Sequence, residues 1–103
     1  MNIQSTRENG RTLITIKGDI DELGAEEVKR VFRETATSSS TEVVVDFGGV
    51  THIGSAGIGK LLVFYKDLAI RGSRLSLVRV PAPILLLMRE MKLDTLFPIS
   101  DAR

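Results

Sequence analysis

The chain has 103 residues, 43% hydrophobic and 26% charged, which is the balance of a folded globular protein and excludes a disordered one. Its 14 Lys and Arg against 13 Asp and Glu give a net charge of +1, so no global basic field is available to hold nucleic acid. Cysteine is absent, which excludes disulfides, thiolate metal sites and cysteine nucleophiles. We expect one domain over residues 1–103.

Neither a membrane span nor a secretion signal is visible. The longest apolar run is residues 84–88, whereas a spanning helix needs about 20 apolar residues. The segment 1–10 is polar and lacks the apolar region of a signal peptide. We therefore expect a cytoplasmic protein that does not insert into a membrane.

Hydrophobic periodicity and turn residues predict the elements in chain order. Asn9-Gly10 is a hairpin turn signal, and Gly72 is a typical helix stop. The predicted elements are a strand at 2–8, a strand at 11–18, a polar turn at 19–22, a helix at 25–37, a strand at 43–46, a loop at 47–54, a helix from 55 to 71–72, a strand at 74–79, a helix at 83–91, and a short strand or extended tail at 97–99.

The order β-β-α-β-α-β-α indicates an α/β fold, in which a hairpin followed by parallel strands forms a small mixed β-sheet with packed helices. Val43 to Val45 form a β-branched run without alternation, which predicts a strand buried on both faces. In the last helix we expect a core stripe of Ile84, Leu87, Met88 and Met91. We expect the C-terminal tail to cover Leu85 and Leu86; the alternative is an exposed apolar patch.

Residues 52–60, HIGSAGIGK, carry the strongest functional signal. Serine is a favoured helix N-cap, so the simplest interpretation makes Ser55 only a cap. A phosphate on Ser55 would lie at the positive end of the same helix, and its charge would repel a partner that covers it. The glycines at 54, 57 and 59 either let another protein approach closely or allow tight packing.

The segment Gly54 to Lys60 also matches GxxxxGK, the start of a phosphate-binding loop. Leu61 stands where that motif needs the hydroxyl that holds Mg²⁺. The predicted strand also ends at Asp46, well before Gly54. We reject a nucleotide-hydrolysing domain and expect no cofactor.

Other catalytic and metal sites have little support. His52 is the only histidine, so a two-histidine metal site cannot form, and a His52–Ser55 dyad would lack an oxyanion hole. Four acidic residues near predicted strand ends could bind a cation, pair with Lys60 or simply form turns: Asp19, Asp21, Glu22 and Asp46. Most aromatic residues lie at predicted core positions, so no stacking platform for nucleic acid is expected. We expect no enzymatic activity and no metal.

Four segments together resemble one known family over almost the whole chain, in order and at the family's spacing. They are Gly18-Asp19-Ile20-Asp21, Val43-Val44-Val45-Asp46-Phe47, Ile53-Gly54-Ser55-Ala56-Gly57-Ile58-Gly59 and Leu93-Asp94-Thr95-Leu96-Phe97. The family is that of the anti-sigma-factor antagonists, the STAS domain. The resemblance implies a bacterial regulator that binds an anti-sigma factor, itself a serine kinase, and so frees a sigma factor. The kinase then phosphorylates the regulator, which lets go, and a phosphatase resets it.

The resemblance makes Ser55 the candidate phosphoacceptor and places Asp21 near the kinase contact. It implies a partner-binding surface of Asp21, Gly54, Ser55, Ala56, Gly57, Ile58, Gly59 and Lys60. Gly54 stands where many members have aspartate, and Ala56 where serine or threonine is frequent. The alternative is therefore a scaffold subunit, not phosphorylated, in a signalling or transporter-associated complex. We expect a monomer or weak dimer with protein partners only.

Overall fold

A five-stranded sheet forms the centre of the computed structural model, which describes residues 1–102. The elements are β1 (Asn2–Glu8), β2 (Arg11–Ile20), α1 (Glu22–Ala36), β3 (Glu42–Ile53), α2 (Ser55–Ile70), β4 (Arg74–Val80), α3 (Ala82–Glu90), a 3₁₀ turn (Leu93–Thr95) and β5 (Ile99–Asp101). The predicted α/β class and element order are confirmed. Within residues 1–102, no helix is long and apolar enough to cross a membrane.

The strands lie side by side in the order β1-β2-β3-β4-β5. β1 is antiparallel to β2, and every later pair is parallel. The carboxyl ends of β2 and β3 therefore meet at one edge of the sheet, and α1 and α2 both begin there. The backbone N–H of Gly54 donates to the carbonyl of Ile20 at 3.1 Å, which joins the two strand ends directly.

The core lies between the sheet and the helices. Along β2, Ile14 and Ile16 are fully buried, whereas Leu13 on the opposite face is 40% exposed, as expected for a strand with one covered face. The rings of Phe32 on α1 and Phe64 on α2 stack with centroids 4.1 Å apart and tie the two helices together. Val43, Val44 and Val45 are all buried, which confirms the strand predicted to be covered on both faces.

The loop predicted at 47–54 is wrong, because β3 continues through it to Ile53. The pairing with β2 shifts by one residue between the pairs Thr15–Asp46 and Lys17–Gly49, and this bulge absorbs the glycine pair at 48–49. Neighbouring side chains occupy the space that a Cβ would need on each glycine, since Arg79 lies against Gly48 and Lys17 against Gly49. The glycines within 47–54 therefore predict a loop, but pairing with β2 keeps this segment in a strand.

The turn predicted at 19–22 is also wrong at both ends. β2 extends through Asp19 to Ile20, and α1 begins at Glu22 instead of residue 25. The earlier start has a local cause: the Asp21 carboxylate accepts a hydrogen bond from the backbone N–H of Gly24 at 2.8 Å, which caps the helix.

The C-terminal part differs in detail. The last strand lies at Ile99–Asp101 rather than 97–99, and the preceding 3₁₀ turn was not predicted.

On α3 the buried residues are Ile84, Leu85 and Met88, so the predicted core positions of Leu87, 37% exposed, and Met91, 46% exposed, are wrong. Of the two leucines predicted to be covered, Leu85 is buried, but Leu86 is 59% exposed. α3 packs on the short edge strand β5, so only part of its surface is covered.

Candidate functional site

The N-terminus of α2 lies at the carboxyl edge of the sheet, directly after β3. Gly54 occupies the N-cap position with extended backbone, and its carbonyl accepts from the N–H of Ile58 at 3.1 Å. Ser55 is the first helical residue and is exposed. The alternative that Ser55 is only a cap does not hold, because Gly54 occupies that position and no side chain caps the helix. Across residues 1–102 the Ser55 hydroxyl has no hydrogen-bond partner.

The electrostatic setting of Ser55 favours negative charge. α2 has 16 residues, no acidic residue in its first turn and no side-chain cap, so its first N–H groups remain open to solvent or to a ligand. A helix N-terminus carries a positive partial charge, and an anion there is stabilised by about 0.3–1 kcal/mol at an exposed position. A phosphate on Ser55 is therefore compatible with the fold as it stands.

The structure brings Asp21 beside this helix start. Ile20 pairs with Ile53 at the end of the β2–β3 ladder, so Asp21 and Gly54 follow neighbouring strand ends. The Asp21 carboxylate is partly occupied as the cap of α1. Leu23, in the first turn of α1, is 80% exposed and extends the same edge with an apolar side chain. Leu23 was not a predicted site residue, because the helix predicted from residue 25 did not include it, whereas α1 begins at Glu22.

The residues of the predicted partner surface separate into exposed and interior ones. Ile58 is 4% exposed and belongs to the core, and Gly57 is buried. A Cβ on Gly57 would lie 2.8 Å from side-chain carbons of both Ile20 and Ile53, so this glycine allows α2 to pack on the strand ends. Gly59 is exposed, with nothing within 4 Å of the Cβ it lacks. Partner contact is thus open to Gly59 and closed to Gly57 and Ile58.

Replacing these two glycines by alanine is expected to have opposite effects on stability. Gly59→Ala should raise the melting temperature, because alanine is favoured over glycine in a helix interior by about 1 kcal/mol. Gly57→Ala should lower it, since overpacking a filled site costs about 1–3 kcal/mol. Thermal unfolding followed by circular dichroism measures both. Equal shifts in the two variants would contradict the division between a packing glycine and a surface glycine.

Gly54→Asp is expected to leave the fold intact and to stabilise it slightly. The Gly54 backbone has φ −92°, and a Cβ there would meet only ordinary contacts, the nearest at 3.8 Å. An aspartate at this N-cap can accept from a first-turn N–H, and the gain over glycine is about a few tenths of a kcal/mol. Thermal unfolding tests this, and a clear loss of stability would show that position 54 requires glycine.

The remaining acidic residues and His52 do not converge. His52 Nδ1 lies 3.1 Å from Asp19 Oδ1, and both side chains are exposed on the strand ends. Asp46 accepts from the N–H of Gly48 at 2.8 Å and pairs with Arg79 Nε at 3.2 Å. In the described part of the chain, no group of three or more His, Asp or Glu side chains could hold a metal ion.

The structure also argues against a phosphate-binding loop, but for a different reason than the sequence does. One argument against it was wrong, because β3 runs to Ile53 and does end immediately before Gly54. Residues 55–60, however, lie inside α2, so no open loop remains to surround a phosphate group. Leu61 is 1% exposed and fills the core where the motif needs a hydroxyl. Lys60 instead lies 3.8 Å from the Glu26 carboxylate.

Solved structures of other proteins share this fold over nearly the whole chain. An anti-sigma factor antagonist of Mycobacterium paratuberculosis has 21% identity and a TM-score of 0.86, covering 96% of this chain and 84% of that one. A putative anti-sigma factor antagonist of Thermotoga maritima has 17% identity and a TM-score of 0.88, covering 96% and 86%. The phosphorylated form of the Bacillus cell fate determinant SpoIIAA has 15% identity and a TM-score of 0.77, covering 95% and 90%. At these identities the likeness establishes the fold.

The family assignment rests on a match between the sequence and a family model. The family model described as "Mlab, STAS domain" matches residues 3–98, nearly the whole length of the sheet and its helices. Strands β2 to β4, the two helices that start at the carboxyl edge and the serine at the start of α2 all lie within that match. The chain belongs to the STAS domain family.

Proposed function

We propose that this chain is an anti-sigma-factor antagonist that binds an anti-sigma factor through the edge containing Ser55 and is switched off by phosphorylation of Ser55. The observation that carries the proposal is the free, exposed hydroxyl of Ser55 at the uncapped positive end of α2. A serine that capped the helix would stabilise it by about 0.5–2 kcal/mol through its side-chain oxygen. This one contributes no hydrogen bond and remains available to a kinase.

The switch follows from charge. In the unmodified protein the helix start presents Gly54, Ser55, Ala56 and Gly59, which are neutral and small, so a partner can approach the backbone closely. A phosphate adds about −1.5 to −2 charges at neutral pH. The helix terminus stabilises that charge while it faces water, but a partner that covers it must remove the water. The modified protein should keep its fold and lose its partner.

The partners are proteins. We expect an anti-sigma factor with serine-kinase activity and a phosphatase that restores the hydroxyl, in the cytoplasm, with no catalysis by this chain. Three structural relatives support this role: two are described as anti-sigma factor antagonists, one of them putative, and the third is the phosphorylated form of SpoIIAA. We expect the chain to act as one domain over residues 1–103 and as a monomer or weak dimer.

A scaffold role is the second candidate, and the observation that favours it is Gly54. The residue before the candidate phosphoacceptor lacks the carboxylate that many family members have there. If that carboxylate orients the serine in the kinase, this chain would bind its partners without being phosphorylated. It would then act as a constant subunit of a signalling or transporter-associated complex.

A paired pull-down from the native host distinguishes the two roles. Tagged wild-type protein and Ser55→Asp are used as baits, and bound proteins are identified by mass spectrometry. The switch predicts that an anti-sigma factor with a kinase domain is recovered with the wild type and lost with the aspartate variant. Recovery of the same partners by both baits would contradict the switch and favour the scaffold.

A further inference from the structure

A small cleft opens between α1 and α2, a short distance along the helices from Ser55. It has a volume of about 170 Å³. Val63, which is 58% exposed, supplies most of its exposed apolar surface, and the stacked rings of Phe32 and Phe64 line it with only 3% and 1% of their surface exposed. A cavity of about 150 Å³ is large enough to hold a benzene ring. The cleft therefore has room for one large apolar side chain.

The rim of the cleft is mainly cationic. Lys29 and Arg33 line it from α1, and Lys60 and Asp67 line it from α2. Lys60 is partly neutralised by Glu26 at 3.8 Å, but neither Lys29 nor Arg33 forms an ion pair within residues 1–102. Lys29 and Arg33 are one helical turn apart, where like charges destabilise a helix by about 0.2–0.5 kcal/mol. An external carboxylate would relieve that repulsion.

The cleft also continues the Ser55 edge. Lys60 and Val63 lie on α2 within the turns that follow Ser55, and Gly59, which precedes both, is open to solvent. A partner that covers Ser55 and extends along α2 would reach the cleft past Gly59, which has no side chain. The cleft does not suit nucleic acid, because Phe32 and Phe64 are 3% and 1% exposed and cannot stack on a base.

We propose that this cleft receives an apolar side chain from an acidic segment of the anti-sigma factor, with carboxylates of that segment facing Lys29 and Arg33. The inference rests on the proposed function, because it names the second contact of the same partner. Complementary charges at the edge of an interface increase the association rate and make binding sensitive to salt. The Ser55 contact supplies the switch, and the cleft supplies the selection for an acidic partner.

The test is a titration of the purified anti-sigma factor against four forms of this chain: wild type, Ser55→Asp, Lys29→Glu with Arg33→Glu, and a matched control. The control is Arg7→Glu with Lys92→Glu, which makes the same change in charge on exposed residues outside the cleft. Val63→Asp is a further variant that places a carboxylate in the cleft. Thermal unfolding verifies that each form is folded, and the titration is repeated at low and high salt.

We expect the Lys29 and Arg33 reversal and Val63→Asp each to weaken binding at least about tenfold, with a smaller salt dependence than wild type, and the control to bind like wild type. If the reversal binds like wild type while Ser55→Asp does not bind, the cleft inference is wrong and the proposed function stands. If the wild type itself does not bind, both are wrong. A wild-type homodimer that the reversal dissociates would assign the cleft to a second copy and overturn the inference.

Discussion

Ser55→Asp is expected to weaken binding of the anti-sigma factor by about 100-fold, which corresponds to about 2.7 kcal/mol, while Ser55→Ala binds like wild type. The aspartate places a charge on the surface that the partner must cover, and burying an unpaired carboxylate is costly. Alanine removes only a hydroxyl that makes no hydrogen bond in residues 1–102. Isothermal titration calorimetry with the purified partner measures both affinities.

The stability of the two variants serves as the control for this result. Ser55 is exposed and does not cap α2, so Ser55→Ala should melt close to wild type. Ser55→Asp should melt at the same or a slightly higher temperature, because a carboxylate in the first turn interacts favourably with the helix dipole. Equal affinity of all three forms would show that Ser55 does not control binding.

Arg71→Ala is expected to cause the largest loss of stability among exposed positions. The Arg71 guanidinium, which follows the end of α2, donates to the carbonyl of Ala36 at 2.5 Å and of Ser40 at 2.7 Å, and it also contacts the carbonyls of Ser38 and Thr35. These carbonyls lie at and beyond the C-terminus of α1, where a helix leaves acceptors unpaired. One side chain thus joins the end of α2 to the segment that leads into β3.

The expected loss is about 2 kcal/mol, after allowing for water that replaces part of the lost bonding. In a domain of this size that lowers the melting temperature by about 10 °C. Ser73→Ala is the comparison variant. The Ser73 hydroxyl donates to the carbonyl of Ser40 at 2.9 Å and accepts from Arg71 Nε at 2.9 Å, so its loss should have a smaller effect than the loss of the guanidinium. Thermal unfolding of the two variants tests the comparison, and equal losses would contradict a special role for the arginine.

The order of elements was predictable because it depends on local patterns. The Asn9-Gly10 turn, the alternation along β2 and the helical spacing in α2 each act within a few residues of sequence. The start of α1 failed although its cause is local, the Asp21 cap, whereas the segment 47–54 failed because a partner distant in sequence decides its structure. The glycine pair at 48–49 was interpreted as part of a loop, but parallel pairing with β2 keeps it in a strand.

The candidate site was predictable in part for the same reason. Ser55 and its glycines form a contiguous motif, so a sequence pattern suffices to select them. The different roles of Gly57 and Gly59 depend on whether α2 turns each towards Ile20 and Ile53 or towards solvent, which only the packed structure shows. The cleft was not predicted, since Lys29 and Lys60 come together only when α1 packs on α2.

Phosphorylation of Ser55 should abolish binding of the anti-sigma factor. In the most direct measurement, the anti-sigma factor that the wild-type chain recovers is purified and incubated with this protein and ATP. Phosphate incorporation is followed by mass spectrometry of intact and digested protein, and complex formation by size-exclusion chromatography. We expect one phosphate, located on Ser55, and loss of the complex as the phosphorylated form accumulates. A stable complex that contains Ser55-phosphorylated protein, or no phosphate on Ser55 after prolonged incubation, would contradict this expectation.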